Sequence, residues 1–346
     1  IANFNFWCFV YRNVKKIMEN IEFKFIESNG IKLRLAMAGE GPLVVLCHGW
    51  PESWYSYRYQ LPAIANAGFK AVAFDVRGYG ESDKPYEIEA YTMKNMTNDV
   101  VGILDALDYE EAITIGHDWG GPIALNTAHF NPDRITATGT MSVPFFGKGP
   151  MPALDLWKSV YQDAFFYQLY FQREGVAEEE FEKDLRTALF TTYTNSDGRG
   201  MANALEKGKS GLNPKKDKHS TFLEGMEVFD TFPDWFTQAD LSYFIGQFEM
   251  SGLRGPFNRY RAQNIDWQEY PDEFGPKLKQ PAFFITGDLD PVNFFVPTTE
   301  DLTTRISPNY ENLLFAEEIS GVGHWTQQEA PEQVNELILK FLKEVS

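Results

Sequence analysis

The run AITI (112–115) leads into GHDWG (116–120) and then GPIALNTA (121–128), so a carboxylate, Asp118, stands at the apex of a glycine-flanked turn. An apolar strand, a tight turn and a helix is the setting in which a nucleophilic serine is often presented as G-x-S-x-G. A carboxylate in that place suits displacement at a saturated carbon, because it is already charged at neutral pH and needs no base to activate it. An Asp after a strand can equally be a helix cap or a turn residue. Gly116, Gly120 and Gly121 favour the sharp turn, since close packing of helix on strand demands residues without side chains.

The displacement would leave an ester on Asp118, and hydrolysing that ester calls for an activated water and donors for an oxyanion. Of the five histidines, His324 lies in a Gly-rich loop, ISGVGHWTQ (319–327), free to reach the turn. His48 and His117 directly follow strands and are expected to orient backbone, while His129 and His219 read as helix-surface and loop residues. Asp290 of TGDLDPV (286–292) is the expected partner that fixes the imidazole tautomer, with Asp288 two residues away as a rival. No carboxylate lies between Gly139 and Ala153, so the acid cannot follow that earlier strand. The order Asp118, Asp290, His324 is the nucleophile–acid–histidine order of α/β-hydrolase triads. Trp119, next after the nucleophile, and Trp50 of the HGWP turn (48–51) are the expected oxyanion-hole donors through their main-chain N–H groups.

These residues need a frame that brings strand ends together. IEFKFIESNGIKLRLAMAGEG (21–41) reads as a hairpin turning at Asn29-Gly30. LVVLC (43–47), AVAFDV (71–76), AITIG (112–116), TATGTMSV (136–143), PAFFITG (281–287) and LLFAEEI (313–319) read as buried strands. Helix-like periodicity fills the gaps, as in 91–108, and the chain closes on an amphipathic helix at 333–345. Strands alternating with helices predict an α/β fold, a mostly parallel sheet covered on both faces. The alternation lapses from Pro144 to Phe274, which is aromatic, helix-like and carries a polar loop at 207–220. The expected organisation is an α/β core of 18–143 and 275–346 interrupted by a helical lid, 144–274. Ligands of such sheets bind at the carboxyl ends of the strands, where Asp118, Asp290 and His324 all fall.

The 346 residues suffice for one large core with a subsidiary unit. A net charge of −18 argues against nucleic-acid binding and against docking on an anionic membrane. No apolar stretch is long enough to span a bilayer; FWCFVY (6–11) is far too short. Residues 1–17, ahead of Met18, read as an upstream extension. Two cysteines, Cys8 and Cys47, make no disulfide framework, and Cys47 reads as a buried thiol, which points to a reducing, cytoplasmic setting.

The leaving group remains to be assigned. An epoxide leaves as an alkoxide and needs an acid donor, a task for a tyrosine hydroxyl; an alkyl halide needs only weak N–H donors and an apolar pocket. Here the sequence resembles the soluble epoxide hydrolases of the α/β-hydrolase fold, over about residues 20–346. HGWPESWYSYRYQLP (48–62), FDVRGYGESDKP (74–85), GHDWGGPIA (116–124), YQLYFQREGVAE (167–178), LRGPFNRYR (253–261), TGDLDPV (286–292) and GHWTQQEAP (323–331) carry the resemblance. It implies Asp118 as nucleophile, Asp290 as acid and His324 as base. It further implies Trp50 and Trp119 at the oxyanion hole, Pro51 in a cis-prolyl-type turn, and Tyr167 and Tyr260 as the lid tyrosines that bind and protonate the epoxide oxygen, with Trp119 also at the substrate. No cofactor and no metal are implied; the partners are an epoxide and water.

Periodicity by itself does not choose between Tyr167 and Tyr170, and most of the sixteen tyrosines are expected simply to pack. Phe145, Phe146, Phe165, Phe166 and Trp157 are expected in the core of the lid, and the RGYG loop (77–80) is expected to shape a turn. Haloalkane dehalogenase is the alternative reading, sharing the Asp nucleophile and the following Trp. A fluoroacetate-type dehalogenase is disfavoured, since no arginine follows Asp118 until Arg134. A catalytically silent receptor of the same fold would be expected to lack one of the triad residues. The preferred epoxide, monomer or homodimer, and a role in detoxification, lipid signalling or growth on an epoxide all stay open at this level.

Overall fold

The computed structural model describes residues 20–208, 216–271, 277–295 and 299–346. The expected extension 1–17, Cys8, and part of the polar loop at 207–220 lie outside the described residues. So do residues 272–276, where the expected lid gives way to the core.

The chain lays down one eight-stranded sheet: β1 (Glu22–Ser28), β2 (Ile31–Ala38), β3 (Leu43–Cys47), β4 (Lys70–Phe74), β5 (Ala112–His117), β6 (Ile135–Met141), β7 (Ala282–Gly287) and β8 (Leu313–Ile319). The spatial order is β1-β2-β4-β3-β5-β6-β7-β8, antiparallel at β1·β2 and β2·β4 and parallel elsewhere. The α/β-hydrolase architecture expected from the sequence is therefore present. Asn29 and Gly30 both adopt positive φ, 49° and 75°, which matches the right-handed twist of the two strands they join. β4 stops at Phe74, two residues short of the apolar run; Asp75 still donates its N–H to the Arg34 carbonyl at 3.0 Å while its carboxylate accepts from the Trp54 and Glu81 N–H groups.

β3 is buried along its whole length, as an unbroken apolar run demands when helices cover both faces of a parallel sheet. The helix Met93–Ala106 buries Met93, Met96, Val100, Ile103 and Leu104, spaced three and four apart. Pro331–Val345 begins with proline, whose missing N–H costs nothing in a first turn, and buries Val334, Ile338, Phe341 and Leu342. Phe341 packs its ring 4.8 Å from that of Phe283 on β7, closing the core at that end.

Between β6 and β7 the described residues form helices Ala153–Tyr161, Tyr167–Tyr170, Val176–Lys183, Leu185–Ser196, Gly198–Glu206, Gln238–Ser251, Arg254–Arg261 and Gln263–Glu269. An aromatic cluster binds these helices to the strand ends. Trp50 lies within 6.1 Å, ring to ring, of Phe171, Phe181, Phe222, Phe257 and Tyr260. Such rings bury large apolar areas and restrict the wall to one arrangement.

Two expectations about this region fail. His129 is 5% exposed, wedged at the end of Gly120–Phe130 against Phe130 and Phe145, because its helix packs on β5 and β6. Phe146 is 66% exposed instead of packing in the lid, whereas its neighbour Phe145 is buried. No described helix is long and apolar enough to cross a membrane.

Candidate active site

β5 ends at His117, and Asp118 turns the chain with φ 49°, a left-handed conformation that a non-glycine residue adopts at a cost of about 1–3 kcal/mol. The turn is held by what surrounds it. Gly120 begins the following helix so close to β3 that a Cβ there would fall 1.8 Å from the Cys47 carbonyl oxygen. The Trp50 N–H, presented by the cis Trp50-Pro51 turn after β3, donates to Asp118 Oδ1 at 2.7 Å. One carboxylate oxygen is thus anchored and the other faces His324, whose Nε2 lies 3.5 Å from Asp118 Oδ2.

His324 comes from the loop after β8, and its Nδ1 lies 3.0 Å from Oδ1 of Asp290. Asp290 is fully buried and also accepts from the Val292 N–H at 2.9 Å. The rival Asp288 is occupied elsewhere, accepting from Ser320 Oγ and the Gly321 N–H. Burial opposes a charged imidazole at this position, but Asp290, followed by Asp118, outweighs it and holds His324 well above the usual histidine range. The imidazole therefore sits between two carboxylates that favour its protonated form.

The loop carrying His324 is fixed by its main chain. The His324 N–H donates to the Ser196 carbonyl at 2.8 Å, and its own carbonyl accepts from Ser142 Oγ at 3.1 Å. Behind it lies a buried network that sequence reading missed. His117 places Nε2 2.6 Å from the His324 carbonyl oxygen and Nδ1 2.7 Å from Oε2 of Glu52. Glu52, wholly buried, also accepts from the Gly49 N–H and from Gln327 Nε2. Burial acts to raise Glu52, but His117 overrides it and holds the carboxylate down to about 2. The expectation that His48 and His117 orient backbone fits their bonds: His48 Nδ1 meets the Gly49 carbonyl and Nε2 accepts from the Val76 N–H.

Above this floor, Trp50, Asp118, Tyr167, Tyr260 and His324 line one small cavity. Tyr167 starts the short helix Tyr167–Tyr170 and Tyr260 lies in Arg254–Arg261; their rings are 5.8 Å apart, centre to centre. Tyr260 stands 5.3 Å from the Trp119 ring, and the Arg259 guanidinium lies over that indole, 4.7 Å from its centre. Tyr170 is not part of the wall, for its hydroxyl donates to Glu180 Oε2 at 2.7 Å. Tyr167 accepts a hydrogen bond from Gln168 Nε2 at 3.0 Å, which leaves its own proton for the cavity. Burial pushes both hydroxyls well above the usual phenol range, so both are neutral donors.

Thr192, Ser196, Pro291, Val292, Phe295 and Trp325 complete the wall and were not singled out from sequence. Thr192 and Ser196 lie four apart on Leu185–Ser196, which was the only signal they offered. About 20 Å³ of the cavity is open to the centre of a water molecule, room for roughly one water. A buried carboxylate, an imidazole behind it and two neutral phenols over one small cavity can attack a carbon, receive a departing oxygen and then direct a water.

Comparison with known proteins identifies the family. The α/β hydrolase fold family matches residues 42–331. Epoxide hydrolase B of Mycobacterium tuberculosis is 39% identical over 333 residues, spanning 88% of this chain and 92% of its own. An epoxide hydrolase from an endophytic Streptomyces superposes with a TM-score of 0.83 at 37% identity, covering 94% of this chain and 96% of that one. An epoxide hydrolase from Vigna radiata superposes with a TM-score of 0.85 at 32% identity, covering 94% and 99%.

Proposed function

The chain belongs to the epoxide hydrolases of the α/β-hydrolase fold, and we propose that it converts epoxides to vicinal diols through an ester on Asp118. The observation that carries this reading is the shared cavity, with an anchored carboxylate on its floor and two neutral phenols in its wall.

In the first step the free oxygen of Asp118 attacks an epoxide carbon, and the bond from that carbon to the ring oxygen breaks. The electron pair goes to the ring oxygen, which Tyr167 and Tyr260 stabilise and one of them protonates. An alkoxide is a stronger base than a phenolate, so the transfer runs downhill even from a buried tyrosine. The carboxylate has now become a neutral ester, and His324 has lost one of its two anionic neighbours. Its affinity for a proton falls; the proton it sheds replaces the one the tyrosine gave.

Neutral His324, oriented by Asp290, then takes a proton from water, and the resulting hydroxide adds to the ester carbonyl. The Trp50 N–H already bonds an oxygen of Asp118 at 2.7 Å, and that same donor, with the Trp119 N–H, stabilises the tetrahedral oxyanion. Collapse releases the diol, protonated by His324, and the carboxyl proton left on Asp118 returns to the imidazole. Residues 144–274 act in this account as a lid that brings the two phenols and excludes bulk water.

Assaying diol formation against halide release, with styrene oxide and 1-bromobutane, tests the reading. Diol from the epoxide without bromide from the haloalkane is expected; bromide release without diol would favour the dehalogenase.

A further inference from the structure

The carboxylate of Glu329 takes no part in the steps above, yet it gathers three main-chain N–H groups from separate places. Its Oε1 accepts from Trp325 at 2.9 Å; its Oε2 accepts from Gly323 at 3.0 Å and from Gly198 at 2.9 Å. Gly323 and Trp325 are the residues on either side of His324. Gly198 is the first residue of the helix Gly198–Glu206, where an N–H has no partner within its own helix.

We propose that Glu329 is a positioning residue for the hydrolytic step: it clamps the backbone on both sides of His324 and ties that loop to the lid segment. The helix that ends just before this junction, Leu185–Ser196, is the one that brings Thr192 and Ser196 to the cavity. Its Ser196 carbonyl accepts the His324 N–H, and its Tyr193 carbonyl accepts from Trp325 Nε1 at 2.8 Å. The approach is so close that a Cβ on Gly323 would fall 2.5 Å from the Gly198 nitrogen. Glu329 therefore sets the distance between the imidazole and the wall opposite it. The adjacent acid, Asp197, is satisfied separately by the Gly200 N–H and Trp235 Nε1, so it cannot substitute.

The geometry matters to one half of the reaction. Attack by Asp118 uses the free oxygen of a carboxylate whose other oxygen Trp50 anchors, without any contact to Glu329, whereas hydrolysis needs the imidazole aimed through a water at the ester. A displacement of about 1 Å in a positioned group can cost about 10²-fold in rate.

The inference rests on His324 being the base of an ester mechanism. Stopped-flow single turnovers of styrene oxide, read by tryptophan fluorescence, resolve ester formation from ester hydrolysis in the natural protein, Glu329→Ala and Glu329→Gln. In Glu329→Ala hydrolysis should slow about tenfold or more with ester formation kept within about twofold, so that ester accumulates by mass spectrometry. Glu329→Gln keeps an acceptor for two of the N–H groups but turns its own donors toward Trp325, and should fall between. If Glu329→Ala does not fold, the isosteric Glu329→Gln decides the matter. Hydrolysis unchanged in Glu329→Gln, or both steps falling in parallel, overturns the proposal. Absence of any ester in the natural protein would instead overturn the mechanism on which it rests.

Discussion

Replacing His324 with Gln separates the two halves of the proposed reaction. The main-chain bonds at position 324, to Ser196, Ser142 and His117, do not involve the imidazole, so the loop should keep its path. Asp290 retains the Val292 N–H at 2.9 Å as a partner. Asp118 retains the Trp50 N–H at 2.7 Å on one oxygen, so the carboxylate keeps its orientation and the other oxygen remains free to attack. What is lost is the base. General-base catalysis contributes about 10²–10⁴-fold, or about 3–5 kcal/mol of barrier, and only ester hydrolysis draws on it. If both steps run at similar rates in the natural protein, a hundredfold loss in the second leaves about 99% of the enzyme as ester. Intact-protein mass spectrometry after mixing with styrene oxide should find the protein heavier by one epoxide, and peptide mapping should locate the addition at Asp118. Activity lost with no adduct, or hydrolysis slowed by less than tenfold, would refute the division of labour.

Other consequences can be measured independently. Tyr167→Phe and Tyr260→Phe should each slow ester formation by about 10²–10³-fold, the usual loss for one donor at a developing oxyanion, and the double variant should bind without turning over; retained turnover in the double variant would remove the phenols from the mechanism. His324 is held above its ordinary range in the folded protein, so its ion pairs stabilise the fold fully below the unfolded histidine pKa of about 6.5, and that contribution disappears as pH rises through the folded value. The stability advantage of the natural protein over His324→Gln, from urea titration, should therefore be larger at pH 6 than at pH 9; the opposite trend would deny the imidazolium. The hydrolytic step requires the neutral imidazole and should quicken with rising pH in single turnovers, whereas a flat profile would count against His324 as the base.

The sheet was legible because its central strands are near-continuous apolar runs, and Asn29-Gly30 is a strong hairpin signal between β1 and β2. The placement of Asp118, Asp290 and His324 was legible for a related reason: the three lie in the turn or loops after β5, β7 and β8, at the edge where a parallel sheet exposes side chains to a ligand. Tyr167 and Tyr260 were reached only by resemblance, since tyrosine at helical spacing is the same signal whether it packs or donates. The structure separates Tyr167 from Tyr170 by a bond that sequence cannot register, the one from Tyr170 to Glu180. Glu52, His117 and Gln327 join from segments far apart in the chain, and their network exists only once β3, β5 and the His324 loop converge. Thr192 and Ser196 carry no sequence signal beyond their spacing, and only the packing of their helix brings them to the cavity. His129, expected at the helix surface, is buried, because histidine at a helix end gives no sequence signal that separates the two placements.

The account stands on a covalent bond between Asp118 and the substrate carbon. A single turnover with enzyme in excess, run in water enriched in heavy oxygen, examines that bond directly. Both diol oxygens should then come from the epoxide and the Asp118 carboxylate, with the solvent label appearing on the enzyme. Label in the diol of that first turnover, with none on Asp118, would mean that water attacks the epoxide itself and that the carboxylate is no nucleophile.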